Sequence, residues 1–447
     1  MSGLALLMKK QGYTVSGCDT DISSAPCQQL IYEECTIYGG HHISHLKAAQ
    51  VIVYTSAYKK TDEVSYAKSH NNIVISHAEL LGQLLRQSYG IVVAGSHGKT
   101  MAAGLTAYLL RSTGYHPRFL VNGIMRNYRA QACFGDGAWF VAQARKSDPS
   151  LLHLPATLAL ITGVDDEHVT KHQDKAAVTQ SLDNFLQQLP FYGIAVICKD
   201  NVNTKTLRNA HQHHAITYGF DRHADMYAEI VTLGAHHSIF NVFCKTQGLL
   251  GTITLPVPGM QTVQSALGAL TICHNIIGIP FKKLAPALQR FEGIERRFEH
   301  LGTFNNADIF DDCSDHPGSI DAILTTAYNA TRKNLHVVFQ PEHPTRLDDL
   351  WQEFQDVFAR HADQIKALHF LPFLPQKEEA QLDLTICDFT EHLSKQTGHK
   401  NIYCYQQAEE VIDALASHVE AFDLVITIGP KEVRKLSQQL IKKKRKN

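Results

Sequence analysis

Short apolar, β-branched runs alternate along this chain with longer segments whose apolar residues recur at helical spacing. The runs Val51–Tyr54, Ile91–Ala94, Leu158–Ile161, Ile194–Ile197, Val337–Phe339 and Leu424–Ile428 read as buried strands, several of them followed by Gly or a polar turn. Leu80 to Leu85 and Ala102 to Leu110 carry the helical period. Strand then helix, repeated, predicts an α/β fold with mostly parallel sheets. One stretch departs from that rhythm. Met226 to Leu255 alternates polar and apolar residues, which predicts antiparallel strands within the middle of the chain. Pro256-Val257-Pro258-Gly259 ends it, and a helix is predicted just beyond.

A chain of 447 residues exceeds one compact core, and at about 150 residues per domain it suggests about three. No long linker, repeat or low-complexity block marks the joins. Pattern alone places them before the strand at Ile91 and after Phe291-Glu292-Gly293, giving segments 1–88, 89–295 and 296–447.

Hydrophobic residues at 44% and charged residues at 19% are ordinary for a globular protein and exclude a collagen-like, coiled-coil or wholly disordered chain. No apolar run reaches the roughly 18 residues that span a bilayer. A net charge of -1 argues against a nucleic-acid partner. Met1 to Lys10 places its cations after its apolar stretch, the reverse of a secretory signal. The 10 cysteines are scattered without a C-x-x-C pair, so reduced thiols and a cytoplasmic location are expected. Asn329-Ala330-Thr331 then reads as a chance match to a glycosylation acceptor, and the basic run Lys442 to Lys446 as a solvated end. Nothing here sets an oligomeric state. The 26 histidines include the pairs His41-His42, His213-His214 and His236-His237, none with Cys or carboxylates at metal-ligand spacing, so surface or satisfied core histidines are expected.

The sharpest chemical signal is Gly95-Ser96-His97-Gly98-Lys99-Thr100, set between a buried strand and a helical stretch. Glycines let backbone N–H groups approach a phosphate, the helix N-terminus favours an anion, Lys99 adds a cation and a Thr hydroxyl can reach Mg²⁺. The common phosphate-loop pattern wants Gly at position 93, where this chain has Val93. The shorter form, with Ala94 leading into Gly95-Ser96-His97-Gly98-Lys99-Thr100, resembles the ATP loop of the muramyl (Mur) ligase family.

The resemblance extends along nearly the whole chain. Gly12 to Asp19 is similar to the end of the family's first nucleotide-binding unit, and Tyr38-Gly39-Gly40-His41-His42 to its G-H-H turn. Leu189-Pro190-Phe191-Tyr192-Gly193 resembles the middle domain, and Phe291 to Phe298 the hinge into the third. Asp311-Asp312 with His316-Pro317, and Gln340-Pro341 with Thr345-Arg346, resemble third-domain motifs. The resemblance implies three α/β domains: a truncated Rossmann-like N-terminal domain for UDP-N-acetylmuramate, a central P-loop ATPase-like domain for ATP and Mg²⁺, and a C-terminal Rossmann-like domain for the amino acid. It is nearest the member that joins L-alanine to UDP-N-acetylmuramate in peptidoglycan synthesis, through an acyl phosphate. The sister ligase that recycles murein tripeptide shares much of the pattern. Carried over position by position, it implies catalytic roles for Lys99, His168 and His316. It implies nucleotide contacts at Gly95, Ser96, His97, Gly98, Lys99, Thr100, Arg297 and Asp312, and metal ligands at Thr100 and His168.

Departures from the family pattern accompany it. The opening strand and most of the Gly-rich loop are not represented before Met1-Ser2-Gly3. The family's E-A-D-E-S-D becomes Gln143-Ala144-Arg145-Lys146-Ser147-Asp148, which changes the sign of its formal charge and leaves a neutral amide where a carboxylate would hold Mg²⁺. G-x-H-N-x-x-N becomes Gly259 to Ser265, and Q-P-H-R-Y-T-R becomes Gln340 to Arg346 with His343 in place of Arg. His168 keeps acidic neighbours in Asp165, Asp166 and Glu167. Two function classes follow: a working ligase, or a catalytically impaired relative that keeps the fold and nucleotide binding and serves a regulatory or partner-binding role.

Overall fold

The computed structural model describes residues 1–46, 49–55, 58–59, 61–144, 149–164, 175–201, 203–204, 207, 215–342, 344–373 and 385–443. They gather into two compact units, the first from 1–164, 176–226 and 268–284, the second mainly from 227–267 and 285–447.

The first unit opens with the helix Ser2–Lys10, whose buried Gly3, Leu4, Leu6 and Leu7 lie on one side. This helix packs on β6 (Arg118–Met125) and β7 (Ala130–Cys133). The approach is close: a Cβ on Gly3 would fall 2.6 Å from Leu120 Cδ1, so glycine is what permits it. Then come two parallel pairs, β1 (Ser16–Asp19) with β2 (Thr36–Gly39), and β3 (Val51–Tyr54) with β4 (Ile73–Ser76). They form separate two-stranded sheets. Ser76 caps the helix His77–Leu85 through a reciprocal pair of bonds with Glu79.

The main sheet of this unit adds β5 (Tyr89–Ala94), β8 (Trp139–Gln143), β9 (Leu158–Ile161), β10 (Ile194–Cys198) and β11 (Ala215–Gly219), in the order β11-β10-β9-β5-β8-β6-β7. All neighbours are parallel except β6 and β7. The strands expected at Ile91, Leu158 and Ile194 are all present, and β5 and β9 are buried almost end to end, as apolar runs between parallel neighbours must be. The helix Lys99–Ser112 is buried from Lys99 through Leu110.

In the second unit, β12 (Met226–Leu233), β13 (Ser238–Cys244) and β14 (Gly248–Leu255) lie side by side, β13 and β14 antiparallel, and the expected helix starts at Met260. A six-stranded sheet follows: β15 (Glu299–Phe304), β16 (Ala307–Asp312), β17 (Leu335–Phe339), β18 (Ala367–Phe370), β19 (Ile402–Cys404) and β20 (Leu424–Ile428), in the order β15-β16-β20-β17-β18-β19. Only β15 runs antiparallel to its neighbour. One face is filled by Phe339, Phe354, Phe358, Phe370 and Phe389. Among the described residues no helix is long and apolar enough to cross a membrane.

The expectation of uniformly reduced cysteines is corrected. Cys387 and Cys404 form a disulfide, and the other eight cysteines are thiols outside any disulfide. The two are 17 residues apart. The helix Ile386–Thr397 packs against β19, and this tertiary contact, which no local spacing announces, brings them together.

Candidate functional site

β5 lies between β9 and β8: the strands that follow it, β6 to β8, lie on one side and β9 on the other, a switch in strand order where α/β folds open a crevice beyond the carboxyl ends of their strands. The loop 95–98 sits there. Val93, where the longer phosphate-loop pattern wants Gly, is a fully buried strand residue paired with Gln143 and Leu160. The loop therefore begins only at Gly95, whose φ of +126° suits glycine. A Cβ there would meet Thr162 Oγ1 at 2.6 Å and Gly163 O at 2.7 Å. Thr162 and Gly163 brace the loop from the end of β9: Ser96 N donates to Gly163 O at 2.9 Å, and Thr162 Oγ1 donates to His97 O at 2.5 Å. Gly98, at φ +76°, turns the chain into the helix Lys99–Ser112.

Lys99 and Thr100 occupy the first turn of that helix and are nearly buried. The Lys99 ammonium folds back on its own loop, donating to Gly95 O at 2.6 Å and Ser96 O at 2.7 Å. A helix N-terminus, a glycine-flanked loop and a held cation are the elements from which a polyphosphate cradle can be built. Among the described residues the sequence-derived cradle, Gly95 through Thr100, is brought together as one structure.

Gln143 ends β8 beside this loop. Its side chain is 7% exposed, and its Oε1 accepts the backbone N–H of Asn122 from β6 at 3.0 Å. The amide oxygen at the position where the family places a metal-binding carboxylate is thus already engaged. His168, Asp165, Asp166 and Glu167, and also Arg145, Lys146 and Asp148, lie outside the described residues.

The second unit holds the remaining candidates at the carboxyl ends of β16, β17 and β20. Asp312 Oδ2 accepts Phe298 N at 2.7 Å, and Oδ1 accepts Ser314 N at 2.8 Å and Ser314 Oγ at 2.6 Å. The carboxylate of Asp312 therefore fixes the turn around residue 298, where Arg296 and Phe298 adopt φ of +59° and +46°. Arg297 lies in that turn, half-buried, its N–H on Ile294 O at 3.2 Å. His316 is buried at the start of the helix Pro317–Ala330. Arg346 pairs with Asp315. Burial pushes the Cys313 thiol up, against the opposing Arg297 guanidinium, which argues against a thiolate nucleophile.

Sequence reasoning missed the ionic knot beneath these residues. Arg296 Nε donates to the fully buried Asp311 at 3.0 Å and its Nη2 reaches the carbonyls of Gly429 and Pro430. Arg434 takes Glu299 in a fork, at 2.5 and 3.2 Å, and Asp311 at 3.5 Å. Burial raises the Asp311 carboxyl, and Arg296 opposes it. Gly429, at φ +139°, has no room for a Cβ against Gln340 O. The partners stand 15 to 135 residues apart in the chain, so only the fold reveals them.

Three family patterns match in succession: the Mur ligase family catalytic domain over residues 1–89, the Mur ligase middle domain over 142–273, and the Mur ligase glutamate ligase domain over 296–430. The UDP-N-acetylmuramate–L-alanine ligase of Desulforapulum autotrophicum is 31% identical over 99% of this chain and 95% of its own. That of Mesorhizobium japonicum is 33% identical over 80% of this chain and 78% of its own. The chain belongs to the Mur ligase family. Its fold agrees: the crystal structure of the UDP-N-acetylmuramate–alanine ligase of Thermotoga maritima superposes with a TM-score of 0.81 at 16% identity, covering 99% of this chain and 96% of the other. This Mur ligase therefore has the family's three-domain α/β architecture. Within it, the Gly95–Thr100 loop lies between the matched residues 1–89 and 142–273, and the Asp311–Asp312 pair lies within the matched third domain.

Proposed function

We propose that this Mur ligase binds ATP on the loop 95–100 and couples its hydrolysis to joining L-alanine to UDP-N-acetylmuramate, a cytoplasmic step of peptidoglycan synthesis. The observation that carries the reading is the cradle itself: Gly95 and Gly98 in backbone states suited to glycine, and Lys99 held over the loop at a helix N-terminus. The curated relatives' names support the two substrates. Domain limits near residues 88 and 296 belong to the same proposal.

In this reading the loop N–H groups and Lys99 hold the β- and γ-phosphates, and the bound charge is stabilised at the helix start. By the family resemblance, Arg297 and Asp312 are nucleotide contacts of the third domain and His316 is a catalytic residue. The carboxylate of the muramyl group takes the γ-phosphoryl group, and the amine of L-alanine displaces phosphate to form the amide. Thr100 and His168 would hold Mg²⁺, which supplies charge neutralisation on the transferring phosphoryl group.

One observation favours a second reading. The metal-side position is Gln143, and its oxygen already accepts Asn122 N–H. A neutral amide so engaged is a poor ligand for a hard cation. On this reading the protein keeps nucleotide binding and has a weakened phosphoryl-transfer step, with a regulatory role in place of turnover. Phosphate release with ATP, Mg²⁺, UDP-N-acetylmuramate and L-alanine together, and with each omitted in turn, separates the two. Release that needs both substrates supports ligation. Nucleotide binding without it supports the second reading.

A further inference from the structure

Away from the phosphate loop, His236, His300 and Asp308 converge in the second unit, their ligand atoms all within 4.8 Å of one another. His300 Nε2 lies 2.9 Å from Asp308 Oδ1, and His236 Nε2 lies 3.4 Å from Asp308 Oδ2. We propose that His236 Nε2, His300 Nε2 and an Asp308 carboxylate oxygen form a binding site for a divalent transition ion of the Zn²⁺ class.

The backbone sets this arrangement. On the antiparallel pair β15–β16, His300 stands opposite Phe310, and Asp308 is two residues before Phe310, on the same face. His236 comes from the tight turn joining β12 to β13, closed by Gly234 N donating to His237 O at 2.9 Å. The turn is seated: Ala235 packs on the same hydrophobic core that contains Phe310. The ring of His236 stacks on Phe310 at 5.8 Å between centroids, and the ring of His300 tilts over it at 5.1 Å. Phe310 is 1% exposed, so it is a fixed apolar floor under both imidazoles. The two rings meet edge to face at 4.8 Å, with their Nε2 atoms turned to one carboxylate.

The donor set selects the ion. Two imidazoles and one carboxylate are borderline ligands that suit Zn²⁺, Co²⁺ or Ni²⁺, whereas Mg²⁺ and Ca²⁺ want oxygen. Ligands 2.0–2.1 Å from a tetrahedral ion stand about 3.3 Å apart. His300 Nε2 faces one oxygen of Asp308 at 2.9 Å and His236 Nε2 the other at 3.4 Å, and all three ligand atoms lie within 4.8 Å, so side-chain rotations on a held backbone bring one oxygen and both nitrogens to an ion. All three side chains are partly exposed, which leaves the fourth position to water. The site is invisible to local spacing because its residues come from a turn and two later strands. A bound ion would clamp the 234–237 turn to β15–β16.

The test uses the full-length protein stripped with chelator, then dialysed against micromolar Zn²⁺ and melted with and without it. A second donor group among the described residues, Cys18 with His41 and Glu63, is silenced by Cys18→Ser in every sample. One retained equivalent of Zn²⁺ and a melting temperature raised by at least about 2 °C are expected. His236→Ala, an exposed turn substitution, and His300→Ala should each abolish both effects, and Asp308→Asn should weaken them. Retention of no Zn²⁺, or retention that survives His236→Ala, overturns the assignment.

Discussion

The side-chain oxygen of Gln143 accepts the backbone N–H of Asn122 at 3.0 Å, tying the end of β8 to β6 beside the phosphate loop. A glutamate at the same place could keep that bond through one oxygen and present the other, with a full charge, to a cation. We expect Gln143→Glu to raise Mg²⁺-dependent phosphate release by about tenfold or more, the equivalent of about 1.4 kcal/mol in the barrier. Steady-state rates over a Mg²⁺ titration check this. Equal rates in the two proteins would show that position 143 does not limit the reaction.

Lys99 is expected to carry the nucleotide. Lys99→Ala should abolish the rise in melting temperature that ATP or ADP produces in the unaltered protein. The apo melting temperature should change far less than the nucleotide-induced shift, since the lysine's bonds to Gly95 O and Ser96 O are local to its own loop. A nucleotide-induced shift that persists in the variant would refute the cradle.

Arg434 and Arg296 together neutralise Glu299 and Asp311. Removing one cation from buried carboxylates leaves an uncompensated charge, so Arg434→Ala should cost on the order of 3 kcal/mol in denaturant unfolding. Burial already holds the Asp311 carboxyl above its usual range, and losing Arg434, one of the cations that lower it, raises it further. The added stability of the protonated form is lost as pH rises, so the defect should be larger at about pH 8 than at about pH 5. A loss independent of pH would mean that packing by the Arg434 stem outweighs its charge.

His369 gives a second pH dependence of opposite sign. Burial lowers its imidazole to about 3, with the neighbouring His336 adding to the effect. The ring sits between His336 and the phenols of Tyr403 and Tyr405. Its folded value is below the unfolded one of about 6.5, so the folded state takes up fewer protons between them. Stability is unaffected above that range, falls by roughly 1.4 kcal/mol per pH unit as pH drops through it, and levels off below it. His369→Gln should lower the midpoint of acid unfolding, measured by circular dichroism. A midpoint that stays in place would assign acid sensitivity to other groups, among them His336, which burial also lowers despite Asp423.

Much of the fold was legible because parallel strands buried on both faces need unbroken apolar runs. Ile91–Ala94 and Leu424–Ile428 could scarcely be anything else. The turn at Gly95 into the helix was legible for a related reason, since strand, glycine turn and helix start are written in consecutive residues. The bonds that qualify its chemistry were not. Asn122 and Gln143 meet through strand order, Glu299 and Arg434 across 135 residues, and Cys387 and Cys404 through a helix laid on a strand. His236 read as one histidine of a surface pair until β15 and β16 supplied its neighbours.

The ammonium of Lys99 already rests on two carbonyls of its own loop. An arriving phosphate does not find a bare cation but must displace those dipoles, so its net gain is a difference between two good contacts. Weakly charged ligands win little from such a swap. A doubly charged terminal phosphate wins much more, and the resting lysine thereby acts as a filter that favours ligands by charge before shape is consulted.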